Sequence, residues 1–401
     1  MSLTDLPRIE EDPYGPEAIA DPYPLYARIR DAGPLVHLAA YGVVATARYD
    51  VAREALFDWE RFSSARGVGL ADLKDTQKWP GLQPSGLVEQ DPPNHTVARE
   101  AVRTLFLPSQ MKPLREGIAR RADELVRRLL ERGSIDAYRD LAHDFVMSIV
   151  PDLIGVRQEG RENMLPFSTL SIQASTSPHN ERIREIMSSA GPLREWIVES
   201  SRRANLAPGS MGAMIWAKVD AGEISDELAM KLIRGLLTAG MDTTIYAIVN
   251  TVRSLLRFPE QWQALREDPS LASRVADETL RYESVTQTIT RTVSADTEFA
   301  GATLREGTKF IIFNSGTGRD ERQWGDRANR YDLSESSRGH LGLGFGIHQC
   351  VGQALARMEM EALFTAFAGQ VRDLRAGEGD PELLGVPPLR SWTRLPVEIA
   401  A

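Results

Sequence analysis

The sequence is poor in cysteine and in long apolar runs. Cys350 is the one cysteine among 401 residues, so an internal disulfide and a zinc site built from several thiolates are both excluded. No uninterrupted apolar run reaches the length that a membrane helix needs. Residues 1–15 carry neither the basic start nor the apolar core of a signal peptide. We therefore expect a soluble protein of a reducing compartment, the cytoplasm, without a membrane partner.

Positive charge is also in short supply. The chain has 47 Lys and Arg against 56 Asp and Glu, a formal net charge of −9, and no long basic run. Such a chain is a poor match for a polyanion, so nucleic acid is excluded as the main partner. Its 42% apolar and 26% charged residues are typical of a globular protein. Because no repeat or linker divides the sequence, we expect one large domain.

Apolar residues recur at helical spacing over most of the chain. They repeat at steps of three and four residues from Met111 to Gly133, and the longest predicted helix runs from Ser225 to Arg257, with Ser225 as its N-cap. The apolar middle of this helix predicts burial. Short β patterns are confined to the N-terminal part and to 283–315, and helix resumes after Cys350. The sequence therefore predicts a mainly α protein with a small β region.

The single cysteine lies in a glycine-rich segment that precedes a helix. Residues 342–352 have the sequence GLGFGIHQCVG. The alternatives are a buried inert thiol, a phosphate cradle and a nucleophile paired with His348. The spacing matches no phosphate-binding fingerprint, and covalent catalysis needs no such run of glycines. Converging N–H groups and a helix N-terminus stabilise a thiolate and lower the thiol pKa. A Cys350 thiolate presented to a metal ion accounts for all of these features.

An acid and two hydroxyls stand together in the middle of the longest predicted helix. Residues 239–244 have the sequence AGMDTT, and glycine, aspartate and threonine are poor choices for a helix interior. A helix break without chemistry is the alternative, which the expected burial of the segment disfavours. A hydroxyl that bonds back to a helix carbonyl distorts the helix locally, and such distortions often mark functional sites.

These separated segments, in this order, resemble the cytochrome P450 family of haem-thiolate monooxygenases over nearly the whole chain. The resemblance implies the P450 fold in a single domain, 1–401, and a haem b whose iron is bound by Cys350. It implies that Asp242 and Thr243 are the acid–alcohol pair that supplies protons for dioxygen activation. It also implies contacts to the haem propionates from His95, Arg99, Arg291 and His348.

The resemblance further implies dioxygen as a co-substrate and an external electron donor. The sequence contains no flavin or nicotinamide fingerprint, so we expect a small ferredoxin with its reductase. A non-catalytic haem protein, or one that uses peroxide, is the alternative, and the acid–alcohol pair favours the monooxygenase. Basic residues that are candidates for a docking patch, although solvated surface charge is the alternative, are Arg99, Arg103, Lys112 and Arg357.

Three positions depart from the family's pattern. Leu343 stands where an aromatic residue usually precedes the first glycine of the thiolate loop. Glu278 and Arg281 resemble the family's buried structural pair, which normally receives an arginine as its third member, and Glu335 occupies that arginine's position. Gly318 stands where asparagine is common.

Two loops point to the substrate class. Ser63–Leu70 and Leu87–Thr96 look most similar to bacterial members that oxidise para-substituted benzoates, in which an arginine and serines bind the substrate carboxylate. Here Leu82 stands at the arginine's position, Ser85 is retained and Gly235 replaces a second serine. We therefore expect a small aromatic substrate of the phenol or methoxy-aromatic type, which is hydroxylated or O-demethylated.

Oxidation of para-substituted aromatic acids is the alternative, because Arg66 or Arg234 could turn inward and replace the missing cation. The predicted lining of the substrate pocket is Leu82, Ser85, Ile172, Ser175, Thr238, Ala239, Gln287 and Ile289.

Overall fold

The structure is a computed structural model that describes residues 5–75, 77, 84–176 (side chains to 171), 190–385 and 387–401. Of the predicted pocket residues, Leu82 lies outside these ranges, and the side chains of Ile172 and Ser175 lie outside the described part as well.

Helices make up most of the described chain. A π-helical segment, Ala137–His143, and short 3-10 turns connect several of them. The α-helices are α1 Pro16–Ala20, α2 Tyr23–Ala32, α3 Tyr49–Phe57, α4 Asn94–Arg103, α5 Pro108–Met111, α6 Leu114–Arg132, α7 Asp144–Met147, α8 Val150–Ile154, α9 Met164–Thr176, α10 Gly191–Ser200, α11 Met211–Asp220, α12 Asp226–Ala239, α13 Asp242–Arg257, α14 Pro259–Glu267, α15 Ala272–Tyr282, α16 Asn314–Thr317, α17 Glu321–Trp324 and α18 Gln353–Gln370.

The strands form one mixed sheet and three smaller pairings. The strands are β1 Arg8–Ile9, β2 Val36–Leu38, β3 Val43–Thr46, β4 Phe62–Ser63, β5 Ser134–Asp136, β6 Ile289–Val293, β7 Thr297–Phe299, β8 Ala302–Leu304, β9 Lys309–Ile312, β10 Asp373–Ala376, β11 Glu382–Leu383, β12 Trp392–Arg394 and β13 Pro396–Ala400. The mixed sheet has the order β1-β2-β3-β9-β6-β4, and β10-β13-β5, β11-β12 and β7-β8 are separate. In the mixed sheet Arg291 of β6 pairs with Phe310 of β9.

The helical core packs around α18. This helix lies against α6 and α15, and α15 in turn lies against α13. The spacing of apolar residues in α6 buries Ile118, Leu125 and Leu129 on one face. Gly133 ends the helix as predicted, with φ +72° and its N–H donating to the carbonyl of Leu129 (3.1 Å).

The predicted helix Ser225–Arg257 is divided into α12 and α13 at Gly240 and Met241. Ser225 is the N-cap, as predicted, and its hydroxyl accepts the N–H of Leu228 (3.2 Å). By length and composition alone the stretch Asp226–Arg257 could cross a membrane. However, 61% of its most apolar window is buried inside the protein, as in the core helix of a soluble domain.

The C-terminal strands were not predicted. Strand β13 pairs with both β10 and β5, and Val397 and Ile399 alternate with exposed neighbours. This two-residue alternation is a strand signal that is visible in the sequence. The helical pattern that precedes the strand obscured this signal.

A buried ion network fixes α15. Glu278 and Arg281, both 0% exposed, are joined at two points, 2.6 and 2.7 Å apart. The missing third member is supplied by Arg327, 3.1 Å from Glu278 and 3.1 Å from Glu335. Gly318 also has a physical reason, because a Cβ there would lie 1.8 Å from the carbonyl oxygen of Arg281.

Candidate active site

The segment before α18 folds into a tight loop around the thiol. Gly344 and Gly346 both have φ +71°, the left-handed conformation that favours glycine. A Cβ on Gly346 would also lie 2.6 Å from the carbonyl oxygen of Leu56 in α3. The N–H of Cys350 donates to the carbonyl of Leu343 (2.8 Å), so the loop closes on itself and α18 begins three residues later.

The thiol of Cys350 lies among backbone N–H donors and cationic side chains. Burial raises the pKa of Cys350, whereas the N–H groups of Gly352 and Gln353 and the charges of Arg99 and Arg357 lower it. The net pKa is raised, so the prediction of a lowered thiol pKa was wrong for the protein chain alone. The backbone donors and cations have the predicted direction, but burial outweighs them. A bound cation is the further charge that deprotonates a coordinating thiol.

Two histidines and two arginines converge beside this loop. The rings of His95 in α4 and His348 lie 4.4 Å apart between centroids, edge to face. The Nε2 atom of each is buried without a hydrogen-bond partner among the described residues. Arg291, 4% exposed, donates to the carbonyl of Thr290 (3.0 Å). Burial and the charges of Arg291 and Arg99 lower the pKa of His348 to about 3.

This cluster lacks the anions that usually accompany buried cations. Burial lowers the pKa of Arg291 to about 10, although Asp91 and Glu89 oppose this at longer range. Burial also lowers the pKa of Arg99. Among the described residues none of the four forms an ion pair with a carboxylate. Buried and half-buried donors without anionic partners fit a group that carries carboxylates of its own, and the two propionates of haem match this requirement.

The break between α12 and α13 opens one helix face. Gly235, Ala239 and Thr243 follow at four-residue steps and therefore share that face. A Cβ added at Gly235 would meet no described atom within 4 Å, and Ala239 is exposed although α13 behind it is buried. The Thr243 hydroxyl donates back to the carbonyl of Ala239 (3.2 Å), the back-bonding that the sequence predicted. The helix face that carries Gly235 and Ala239 is therefore open among the described residues.

The carboxyl of Asp242 faces the opposite way, into the protein. It is 0% exposed, its Oδ2 accepts the hydroxyl of Thr169 in α9 (3.1 Å), and its Oδ1 has no described partner. Burial raises the pKa of Asp242 to about 7, while Ser168 and Thr169 lower it. A carboxyl with this pKa exchanges protons near neutral pH, the property that a general acid needs.

Two predicted pocket residues are used locally. The hydroxyl of Ser85 accepts the N–H groups of Val88 (3.0 Å) and Glu89 (3.4 Å), so it caps a turn. The Thr238 hydroxyl donates to carbonyls of its own helix, one turn earlier.

The other described pocket candidates divide into two groups. Ala239 lies on the open helix face, and Ile289 is half-buried on β6, opposite Ile312. The side-chain amide of Gln287 is held by two partners within the protein. It accepts the hydroxyl of Tyr26 (3.2 Å) and donates to the carbonyl of Ser284 (2.6 Å).

The structure also describes the two arginines, Arg66 and Arg234, that could have replaced the missing cation. Arg66 is paired with Asp72 (Nε–Oδ2 3.0 Å) on its own loop. Arg234 is half-buried on α12, and burial lowers its pKa. Its Nε donates to the carbonyl of Met230 (3.2 Å), one turn back along the helix.

Sequence reasoning missed two residues with polar contacts inside the fold. Thr169 lies in α9 beside Ser168 and close to Ser171, so no local pattern singles it out. Lys309 is 8% exposed on β9, and its ammonium donates to the carbonyls of Arg66 (2.9 Å) and Ala71 (2.8 Å). Lys309 in its short apolar strand is also not singled out by a local sequence pattern, because its partners are backbone atoms distant in sequence.

Comparison with known proteins gives one consistent family. The family model described as Cytochrome P450 matches residues 173–368. The chain is similar to the cytochrome P450 CYP199A2 of Rhodopseudomonas palustris, with 43% identity over 367 residues, which cover 91% of this chain and 88% of that protein. It is 29% identical to the steroid C26-monooxygenase of Mycobacterium tuberculosis strain H37Rv, over 85% of this chain and 84% of that protein.

Solved structures agree with this result. Cytochrome P450 CREJ, in complex with (4-ethylphenyl) dihydrogen phosphate, superimposes with a TM-score of 0.85 and 27% identity over 95% of this chain and 98% of that one. The ligand-free CYP164A2 of Mycobacterium smegmatis superimposes with a TM-score of 0.84 and 27% identity, over 96% of this chain and 98% of that one.

Proposed function

The chain belongs to the cytochrome P450 family and is a haem-thiolate monooxygenase, and from this premise we propose that it oxidises small, neutral aromatic substrates. Methoxyphenols and related alkoxy-aromatics are the favoured class, and O-demethylation is the favoured reaction. In that reaction the methoxy compound, dioxygen, two electrons and two protons give a phenol, formaldehyde and water.

The haem is bound through the thiolate of the chain's single cysteine, Cys350. We propose that His95, Arg99, Arg291 and His348 bind its propionates, because these buried or half-buried donors otherwise lack anionic partners among the described residues. When bound, the haem supplies the activation of dioxygen. The electrons come from a redox partner, for which we propose a small ferredoxin with its reductase, and the cytoplasm is the proposed location.

Proton supply is assigned to the break between α12 and α13. Asp242 and Thr243 are adjacent there, Thr243 on the open helix face and Asp242 at its buried side. The Thr243 hydroxyl on the open helix face orients a proton donor toward the reacting oxygen. The Asp242 carboxyl, with a pKa of about 7, replaces the proton that has been used.

The single observation that carries the substrate proposal is the open, uncharged face at Gly235. The described cation beside it, Arg234, donates to the carbonyl of Met230 on its own helix. A carboxylate moved into an uncompensated apolar site is strongly disfavoured. Arg66 is paired with Asp72, and Ser85 caps a turn. The structurally similar CREJ is in complex with (4-ethylphenyl) dihydrogen phosphate, and the phenyl ring of that ligand supports an aromatic substrate for this chain.

The proposal is tested by ligand titration. The purified ferric protein is titrated with matched methoxyphenols and methoxybenzoates, and the spin-state change of the haem is followed. We expect tighter binding of the phenols, and formaldehyde release when reductant and redox partners are added. Tighter binding of the benzoates contradicts the proposal.

Oxidation of para-substituted aromatic acids is the second candidate, and Arg234 is the observation in its favour. Its guanidinium is half-buried on the helix that carries Gly235, and it forms no ion pair with a described carboxylate. Substitution of Arg234 by Gln separates the two candidates, because it weakens binding of benzoates alone if Arg234 turns inward.

A further inference from the structure

The carboxyl of Asp242 is held by a hydroxyl and by no described cation. Its Oδ2 accepts the hydroxyl of Thr169 in α9 at 3.1 Å, and its Oδ1 is buried without a described partner. The hydroxyl of Ser168 is also close, but it donates to the carbonyl of Thr238 at 2.5 Å. A hydroxyl has one hydrogen, so Ser168 cannot donate to Asp242 while it donates to Thr238, although its nearby hydroxyl also lowers the pKa of that acid. In this arrangement Thr169 is the donor to the acid.

The other groups that face this carboxyl are phenols. Tyr246 lies one turn along α13 and is 2% exposed, and Tyr138 of the π-helical segment stacks on it with ring centroids 6.2 Å apart. Asp242 raises the pKa of both phenols, in addition to the larger effect of burial. Thr169 interacts with the Tyr246 phenol as well. Hydroxyls from α9, α13 and the π-helical segment therefore surround Asp242.

We propose that Thr169 is a positioning residue that holds the Asp242 carboxyl and stabilises its ionised form after it has released a proton. This inference rests on the proposed role of Asp242 in proton supply. Asp242 loses a proton from its carboxyl toward Thr243 and the reacting oxygen, and it regains one from solvent. The hydroxyl hydrogen of Thr169 stays on Thr169 throughout and donates to the carboxylate. A neutral donor stabilises the carboxylate without locking it in an ion pair.

The direction of the effect follows from the hydrogen bond. Thr169 donates to the charged form, so its loss raises the pKa of Asp242 further above the value of about 7. A stronger hold on the proton makes Asp242 a poorer donor. Thr169→Val removes the hydroxyl and keeps the shape, whereas Thr169→Ser keeps the hydroxyl. Ser171→Ala is the matched control, since Ser171 lies in the same helix and donates to the carbonyl of Phe167 (2.8 Å).

The first measurement needs no turnover. The carbonyl stretch of protonated Asp242, identified by its loss in Asp242→Asn, is titrated by infrared difference spectroscopy in the ferric holoprotein. We expect Thr169→Val to move the midpoint upward by about one pH unit. Thr169→Ser and Ser171→Ala should titrate like the wild type. An unchanged midpoint in Thr169→Val overturns the proposal, and Thr169→Ala is the second variant if the valine protein does not fold.

The second measurement is the yield of product per reductant consumed. We expect Thr169→Val to lose several-fold in yield and Thr169→Ser to restore it, with substrate affinity unchanged in both. If Thr169→Val moves the infrared midpoint while Asp242→Asn and Thr243→Ala leave the yield intact, the hold on the carboxyl stands and the proton-supply function fails. If Asp242→Asn lowers the yield and Thr169→Val does not, the positioning role is overturned.

Discussion

Two fully buried carboxyls, Glu278 and Asp242, have opposite surroundings. Glu278 is bound by two arginines, by the hydroxyl of Ser337 and by the N–H of Asp332. Asp242 has one hydroxyl donor and one oxygen with no described partner. Both side chains are 0% exposed, so burial alone does not distinguish a structural acid from a reactive one.

The difference lies in how fully each charge is compensated. A charge with cations and donors on both oxygens stays ionised and fixes the elements around it. An undercompensated carboxyl changes protonation near neutral pH and can take part in proton transfer. In this protein the compensated acid, Glu278, joins α15 to the segment before the thiol loop. The undercompensated acid, Asp242, lies at the break between α12 and α13.

The largest effect is expected when the compensated site is broken. Glu278→Gln leaves Arg281 buried without its counter-charge and leaves Arg327 with Glu335 alone. We expect a loss of about 3–5 kcal/mol in the free energy of unfolding. Urea unfolding and haem retention measure it.

The matched control is Glu335→Gln, which removes a 69% exposed carboxylate from the same Arg327. It should change the unfolding free energy by less than about 1 kcal/mol. Equal losses in the two variants would contradict the role assigned to burial.

Removal of the charge at the undercompensated acid, Asp242, should stabilise the protein instead of destabilising it. Because the pKa of Asp242 in the folded protein is raised to about 7, the acid favours folding below its unfolded pKa, and that contribution is lost as the pH rises through about 7. Asp242→Asn cannot ionise, so the variant should gain on the wild type by as much as about 1.4 kcal/mol per pH unit across this window. The free energies of unfolding of the variant and the wild type, measured at pH values ~1.5 units apart (about 4.5, 6 and 7.5), give this difference. Thr243→Ala is the control, and parallel pH curves for Asp242→Asn and the wild type would refute the assignment.

Loss of the Thr243 hydroxyl should affect the reaction and leave the free energy of unfolding unchanged. Thr243→Ala should bind substrate normally but divert electrons to peroxide or water, with product per reductant reduced about tenfold or more. Product, peroxide and reductant consumption are measured together. An unchanged product yield would remove Thr243 from the proton path.

The smallest effect concerns the open helix face. Gly235→Ser returns a hydroxyl donor to a position where a Cβ meets open space, and a new hydrogen bond is worth about 1 kcal/mol. The preference for methoxyphenols over methoxybenzoates should therefore narrow several-fold in spin-state titrations, and Leu82→Arg should narrow it further. Gly235→Ala is the control for added bulk. If it narrows the preference equally, hydrogen bonding is not the cause.

The thiol loop was predictable from sequence because its requirements are local. Gly344 and Gly346 need positive φ, and the backbone around Cys350 leaves little choice of residue. The acid–alcohol break was predictable for the same reason, since the composition of 239–244 conflicts with a helix interior.

Long-range contacts were not predictable in this way. Arg327 reaches Glu278 from a turn whose geometry no local pattern specifies, and Thr169 meets Asp242 only after two helices pack. Gln287 was assigned to the pocket by its position on the chain, and the partners of its side-chain amide are set only by the fold. Local rules therefore identify the chemistry, whereas packing decides which neighbours control it.

The loop from Arg66 to Ala71 shows what a tethered cation can replace. The ammonium of Lys309 is bound by backbone carbonyl oxygens of this loop, the ligand type by which proteins also coordinate dissolved metal ions. Here the cation is carried on a side chain of β9, so it is present at a fixed stoichiometry and cannot diffuse away. We therefore expect the shape of this loop to be insensitive to chelators.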